Sequence, residues 1–302
     1  MGSVLVVGSV AYDDVETAAG KSENQLGGSA TFFSIAASFF APVHVVAVVG
    51  DDFRQEDLDF LRKRQVDFRG LQQVSGKTFR WGGRYSADFS ERETLYTHLN
   101  VFEQFNPVIP EELQETPFVF LANIGPELQL HVLDQMKKPR FVAMDTMNFW
   151  IERSYYVVRE VIARADGLII NDEEAKLITG QRNLIRAMRE IKEWGPKVLI
   201  VKKGEHGAAL LLDDGFFYLP AYPVEQIADP TGAGDTFAGG FMGYLAAAED
   251  PVSAVFRTAT VFGSALASFN VEGFGVEKLK GLSRKDVAAR AREFQRMTEF
   301  SL

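Results

Sequence analysis

The sequence has no cysteine among its 302 residues, which excludes disulfide scaffolds, thiolate nucleophiles and cysteine zinc sites. It also lacks a surplus of basic charge. Lysine and arginine total 32 against 41 aspartates and glutamates, a formal net charge of -9. Coating nucleic acid or an anionic membrane requires clustered cations that displace counterions, so neither is an expected partner. The four histidines, His44, His98, His131 and His206, show no His-Glu-x-x-His or paired spacing, which argues against histidine-based metal catalysis. No basic segment with a long apolar run precedes Asp13, so an export signal is not expected and the cytoplasm is the expected compartment. Repeats, low-complexity tracts and long linkers are missing too, and a single domain over residues 1–302 is expected.

One stretch, residues 30–49, is apolar for about the length of a membrane span, roughly 20 residues. Pro42 and His44 interrupt it, its first half has helical spacing with small residues, and its second half is β-branched. A buried helix followed by a buried strand is the expected outcome.

What is present is an alternation. Short apolar runs at residues 4–7, 44–49, 118–122, 141–144, 168–170 and 198–201 read as buried strands bounded by Gly, Pro, Asn or Asp. Helical periodicity fills residues 56–64, 128–137, 155–165 and 185–194. The pattern predicts a mostly parallel sheet covered on both faces. Two segments break it. Residues 10–26 are short and polar, and residues 78–104 carry Phe79, Trp81 and Tyr85, then Leu95, Tyr96 and Leu99, on either side of a polar turn. Together they predict a small β appendage, a lid over the sheet's C-terminal edge. Its aromatics could stack on a ligand or pack against a second copy.

The strongest signal is the run Asp229-Pro230-Thr231-Gly232-Ala233-Gly234-Asp235-Thr236-Phe237-Ala238-Gly239-Gly240-Phe241. It passes from an extended proline segment through a glycine turn into a helix of small residues. Gly232 and Gly234 allow backbone N–H groups to converge, and the helix start adds unpaired amides and the positive end of its dipole. Asp235 could simply cap that helix. Beside an anion hole, however, a carboxylate is poorly placed to bind phosphate and well placed to take a proton from an attacking hydroxyl. Neither G-x-x-x-x-G-K-[ST] nor G-x-G-x-x-G occurs, so a P-loop and a dinucleotide fingerprint do not explain the glycines.

This run resembles the C-terminal signature of the ribokinase-like, PfkB-type family of carbohydrate and nucleoside kinases. The resemblance implies a three-layer α/β/α fold with a small β-strand lid, ATP and Mg²⁺ as cofactors, and phosphorylation of a small polyol such as a sugar. Nucleosides and inositol-type cyclic polyols are alternative acceptors, and a non-catalytic nucleotide or sugar sensor is a rival of another class. It further implies Asp235 as the base and the amides of Gly232, Ala233, Gly234 and Asp235 as the anion hole. Asp13 would hold the acceptor, with Asp14 as fallback, and the Gly28-Ser29 turn would admit it against the backbone. Phe32 stands where the family commonly has an asparagine that contacts substrate hydroxyls, which puts ribose in doubt unless Phe32 faces the core.

On the nucleotide side, Asn171 and Glu174 match an N-x-x-E motif that organises Mg²⁺, with helix capping as the simpler role. Lys203, Gly204 and Gly207 match a turn beside the nucleotide, where Lys203 either approaches a phosphate or stays solvated. Asp145-Thr146-Met147-Asn148 resembles a D-x-N segment displaced by one residue. Residues 262–275, with Asn270 and Gly273, match the border of the adenine and, in several relatives, a K⁺ site made of carbonyls. Asp51 and Asp52 read as a structural turn. A homodimer through the lid is also implied.

Overall fold

A computed structural model of the protein describes residues 2–248 and 252–299. Its first strand is β1 (Val4–Val7), four residues buried on both faces. Alternation sends Val4 and Val6 to one apolar core and Leu5 and Val7 to the other. A strand of this kind must lie inside a sheet with helices on either side.

The remaining strands of the large sheet are β4 (Val43–Val49), β5 (Val66–Gln73), β8 (Phe118–Leu121), β9 (Phe141–Met144), β10 (Gly167–Asn171), β11 (Val198–Lys202), β12 (Ala208–Leu212) and β13 (Gly215–Leu219). Their order is β13-β12-β11-β10-β9-β8-β1-β4-β5. Pairing is parallel from β11 to β5, and the β12–β13 hairpin closes one edge antiparallel. The chain runs outward from β1 through β4 to β5, then returns to β8 on the other side. The carboxyl ends of β1 and its neighbours therefore flank a topological switch point, where a crevice opens.

The apolar stretch divides as its breakers require, into α1 (Ser29–Ala37) and β4. No helix among the described residues is long and apolar enough to cross a membrane. α1 is buried along its whole length, and α8 (Ala233–Ala247) lies against it. The contact is close because Gly239 of α8 has no side chain: a Cβ there would strike the Phe33 carbonyl. Composition alone suggests a strand or a ligand as the reason for that glycine, whereas its partner is a helix. α2 (Gln55–Lys63), α9 (Ser253–Asn270), α10 (Glu277–Gly281) and α11 (Arg284–Thr298) place side chains in or against the same core. α3 (Pro126–Gln135), α4 (Asn148–Arg153), α5 (Tyr155–Arg164), α6 (Asp172–Thr179) and α7 (Leu184–Glu193) cover the opposite face.

The two segments that break the pattern form a second sheet of β2 (Ala11–Thr17), β3 (Gly20–Gly27), β6 (Phe79–Tyr85) and β7 (Arg92–His98), in the order β3-β2-β6-β7. It touches the chain just before α8: the Thr17 hydroxyl donates to the Ala228 carbonyl at 2.7 Å, and Tyr85 Oη lies 3.2 Å from Thr231 Oγ1. The small sheet thus roofs the crevice beside the start of α8.

Candidate active site

α8 starts at the glycine turn, and that turn leaves donors free. Gly232, at φ 74° and ψ 0°, occupies the left-handed region that glycine enters without steric cost. Among the described residues, the N–H groups of Gly232, Gly234 and Asp235 have no backbone acceptor. Ala233 is the exception to the expected set of four, because its N–H closes a turn onto the Pro230 carbonyl at 3.2 Å. The free amides of Gly232 and Gly234, with that of Asp235 turned toward its own carboxylate, lie at the positive end of a 15-residue helix and make an anion site.

The turn is braced from behind. Asn270 is fully buried; its Nδ2 donates to the Thr231 carbonyl at 2.8 Å and its Oδ1 accepts from the Thr236 hydroxyl at 3.2 Å. The sequence suggests a place beside the adenine for Asn270, but its amide is spent on holding the loop at both ends. Asp229 adds a second brace by accepting from Thr231 N–H at 2.8 Å and Gly275 N–H at 3.1 Å. The Phe32 ring lies against Gly232 and is 1% exposed, so it supports the loop from the core and offers no face to an acceptor.

Asp235 sits in the first turn of α8, partly buried. Burial pushes its carboxyl up to about 6, opposed by the charge of Lys202 and by its own amide. Asp13 faces it from β2 and is 7% exposed. Burial pushes Asp13 up to about 8; repulsion from Asp229 adds to this, the Gly28 N–H opposes it, and Asp235 and Asp14 repel further. The two carboxylates are therefore close enough to repel each other. Gly28 accommodates the approach with φ 92°, and a Cβ on it would press on the Ser9 carbonyl.

Other expected residues take different roles. Ser29 exchanges hydrogen bonds with Ser9, its hydroxyl accepting from Ser9 N–H at 3.1 Å, and so fastens α1 to the end of β1. Asp14 accepts from Asn24 N–H and from the Tyr96 hydroxyl inside the lid sheet. Asp51 and Asp52 receive the N–H groups of Gly76 and Thr78 in the anticipated turn. Phe79 stacks on Phe102 with centroids 5.4 Å apart, away from any ligand role.

Three groups crown the ends of the neighbouring strands β9, β10 and β11. After β10, Asn171 and Glu174 form a reciprocal capping box, each backbone N–H donating to the other's side chain at 2.8 Å. Glu174 is buried, and burial raises its carboxyl while Lys202, the Asn171 N–H and Arg92 oppose the rise. After β9 comes Asp145, 5% exposed, whose Oδ1 has no hydrogen-bond partner. Burial and then the charge of Asp235 hold its carboxyl well above the usual range, against the pull of Lys202.

Lys202 ends β11, and its Nζ stands 2.7 Å from where a Cβ on Gly234 would be. The family resemblance leaves Lys203 either near a phosphate or solvated; its backbone N–H donates to the Gly207 carbonyl at 2.7 Å. Among the described residues, no backbone hydrogen bond joins Gly204 or Gly207 to the Gly232–Asp235 turn, although a Cβ on Gly207 would collide with the Leu219 carbonyl.

The donor set suits Mg²⁺. No cluster of three or more metal-ligating side chains occurs among the described residues. Magnesium asks for less, since it binds through one or two carboxylates plus substrate phosphates and keeps several waters. The orphaned Asp145 oxygen and Glu174, both within reach of the Lys202 charge, supply hard oxygen of that kind.

Comparison with known proteins follows the same lines. The sequence matches the pfkB family carbohydrate kinase description over residues 1–280. It is 33% identical over 247 residues to a cytidine kinase of Thermococcus kodakarensis, covering 79% of this chain and 87% of that one. It is 24% identical over 246 residues to a 2-dehydro-3-deoxygluconokinase of Thermoproteus tenax, covering 76% and 75%. Among solved structures, the nucleoside kinase of Methanocaldococcus jannaschii superposes with a TM-score of 0.79 over 97% of this chain and 99% of that one, at 20% identity.

Proposed function

The chain belongs to the pfkB family of carbohydrate kinases, and on that premise we propose that it transfers the γ-phosphoryl group of ATP to a hydroxyl of a nucleoside. One observation carries the phosphotransfer reading: a carboxylate, raised to about 6 by burial, in the first turn of a helix whose Gly232 and Gly234 amides have no backbone acceptor. Asp235 takes the acceptor's proton as the new O–P bond forms, and the amides of Gly232, Gly234 and Asp235 hold the charge on the moving phosphoryl. Asp145 and Glu174 are the residues that would hold Mg²⁺ together with the substrate phosphates, and the ion would supply further charge neutralisation. The lid keeps water from competing as acceptor.

The nucleoside is favoured over other polyols by the likeness to a cytidine kinase across most of that enzyme's length. Phe32 no longer counts against a ribose, because its ring is in the core. Asp13 then holds the sugar hydroxyls. The test is an ATP-consumption assay across nucleosides, ribose, 2-dehydro-3-deoxygluconate and myo-inositol, with the product identified by ³¹P NMR. Turnover of sugars alone would overturn the acceptor; no turnover with any of them would favour the sensor. A homodimer through the lid belongs to the same reading and is checked by sedimentation velocity.

Asp13→Asn is expected to raise the acceptor KM by roughly 10- to 100-fold, the effect of mismatching a buried hydrogen-bond partner of the acceptor hydroxyls. Stability should move the other way. With its carboxyl raised to about 8, folded Asp13 holds its proton more tightly than the unfolded chain does, so stability declines as pH climbs from the ordinary carboxylate range through about 8. Asparagine removes that decline. The variant should therefore melt higher than wild type at pH 8–9, a thermal scan being the check.

Within residues 262–275, the stretch expected to border K⁺, the Val271 carbonyl accepts from the N–H groups of Ala228 and Asp229 at 2.8 and 3.3 Å. A K⁺ site belongs to the same reading, and a fall in kcat when tetramethylammonium replaces potassium is its check.

A further inference from the structure

The Lys202 side chain has no contact that explains it. It is only partly buried, yet its ammonium makes no ion pair or hydrogen bond with any described residue. Nearby lysines behave differently: Lys176, Lys192 and Lys197 each pair with an aspartate at 2.6–2.8 Å. A solvated lysine with no partner would be ordinary. This one is held by the end of β11, in register with Asn171 of β10, and its ammonium overhangs Gly234 between the free amides of the glycine turn.

Three carboxylates surround it without closing on it. Lys202 favours the ionised forms of Asp235, Asp145 and Glu174 together. A cation serving only as structural counter-charge would gain most by contacting one of them, because an ion pair at hydrogen-bond distance is far stronger than one several ångströms longer. It instead stays over the amides, where all nearby groups that accept an anion converge.

We infer that Lys202 is a catalytic residue, its ammonium contacting the oxygens of the phosphoryl group in transit while its charge keeps Asp235 ready to accept a proton. This rests on the kinase reading above. In the transfer the acceptor oxygen bonds to the γ-phosphorus, its proton goes to Asp235, and the bond to the β-phosphate oxygen breaks with its electron pair leaving on ADP. Lys202 donates hydrogen bonds and charge throughout and gives up no proton. A point charge suits this role, since it tolerates movement of the phosphoryl better than a fixed fork would.

Charged groups coupled to Asp235 come from several elements, Asp13 on β2, Asp145 after β9 and Lys202 on β11, while Asp229 before α8 acts on Asp13, and Glu174 on α6 and Arg92 on β7 attract each other nearby. Only Lys202 among them lowers Asp235, so its removal has a signature of its own. The experiment compares wild type, Lys202→Met, Lys202→Gln and Lys202→Arg in full-length protein. The methionine and glutamine variants should lose roughly 10²- to 10³-fold in kcat, the cost of one transition-state charge partner. Binding of a non-hydrolysable ATP analogue, read by calorimetry, should weaken by roughly tenfold or more.

The acid limb of kcat, taken at saturating acceptor so that Asp13 does not enter, should move upward from about 6 in both variants and stay in place in Lys202→Arg. Arginine should also recover part of the rate. Circular dichroism and melting confirm that at least one variant is folded. A folded variant with kcat within about threefold of wild type, or one that loses rate with an unmoved acid limb and unchanged analogue binding, overturns the role. Wild type that phosphorylates no acceptor would instead overturn the kinase reading, so the two failures are distinct.

Discussion

Asp235→Asn is expected to lower kcat by about 10²- to 10⁴-fold while the ATP analogue still binds, the range general-base loss spans. Asparagine keeps the size and the helix-start position of the side chain but accepts no proton. The free amides of Gly232 and Gly234 are untouched by it, so nucleotide affinity should hold. In wild type the rate should fall as pH drops through about 6, because the base is then protonated. A value this high suits a general base, since the group is mostly ionised at neutral pH and yet more basic than an ordinary carboxylate.

Stability separates lost chemistry from lost structure. Since burial raises the folded pKa of Asp235, the ionised form is disfavoured in the native state, and stability is eroded as pH rises from the ordinary carboxylate range through about 6. The asparagine variant should melt no lower than wild type at pH 7. A stopped-flow or coupled assay with a paired thermal scan checks both. A folded Asp235→Asn enzyme at wild-type speed would remove the carboxylate from the reaction.

Much of this architecture is legible because the sequence uses period and punctuation consistently. The runs at residues 118–122 and 141–144 form strands within a residue of their expected limits, and the Asn171/Glu174 spacing announces a cap that forms. The glycine run before α8 is legible for the same reason, since few structures besides a turn into a helix need that composition.

What stays hidden depends on directions rather than composition. Lys202 and Lys203 are adjacent, and which one faces the anion site is decided by the strand's alternation and where the strand ends, a boundary that sequence locates only within a residue or two. Asn270 resembles a ligand contact because a buried asparagine and an exposed one read alike. Only the fold shows both ends of its amide occupied. Asp145 is blurred by a one-residue offset in its motif, although its place at the end of β9, beside Asn171 and Lys202 at the ends of β10 and β11, is a signal that strand-end position alone could raise. Phe32 misleads in the opposite direction: an apolar residue at a position associated with substrate suggests a changed acceptor, when α1 is buried on every side and the ring belongs to the core.

That ring gives the second large effect. Gly232→Ala places a methyl group into the Phe32 ring and asks a non-glycine residue to hold φ 74°. The backbone alone costs about 1–2 kcal/mol for an L-residue in the left-handed region. The clash adds to it, because Phe32 is enclosed by core and cannot swing away. The turn can respond only by rotating its amides, and a displaced oxyanion-type donor costs roughly 10²–10³ in kcat. Both losses are therefore expected together, a lower melting temperature and a large drop in turnover.

The double variant Gly232→Ala/Phe32→Leu pulls them apart. A smaller side chain at residue 32 makes room for the methyl, so its stability loss should be less than the sum of the two single losses, a coupling visible in a denaturant-unfolding cycle. Turnover should remain low, since leucine relieves the collision but leaves the strained φ that orients Gly234 and Asp235. Full additivity would mean that the ring does not support the turn; recovery of kcat in the double variant would mean that the collision, and not the left-handed backbone, sets the geometry of the anion site.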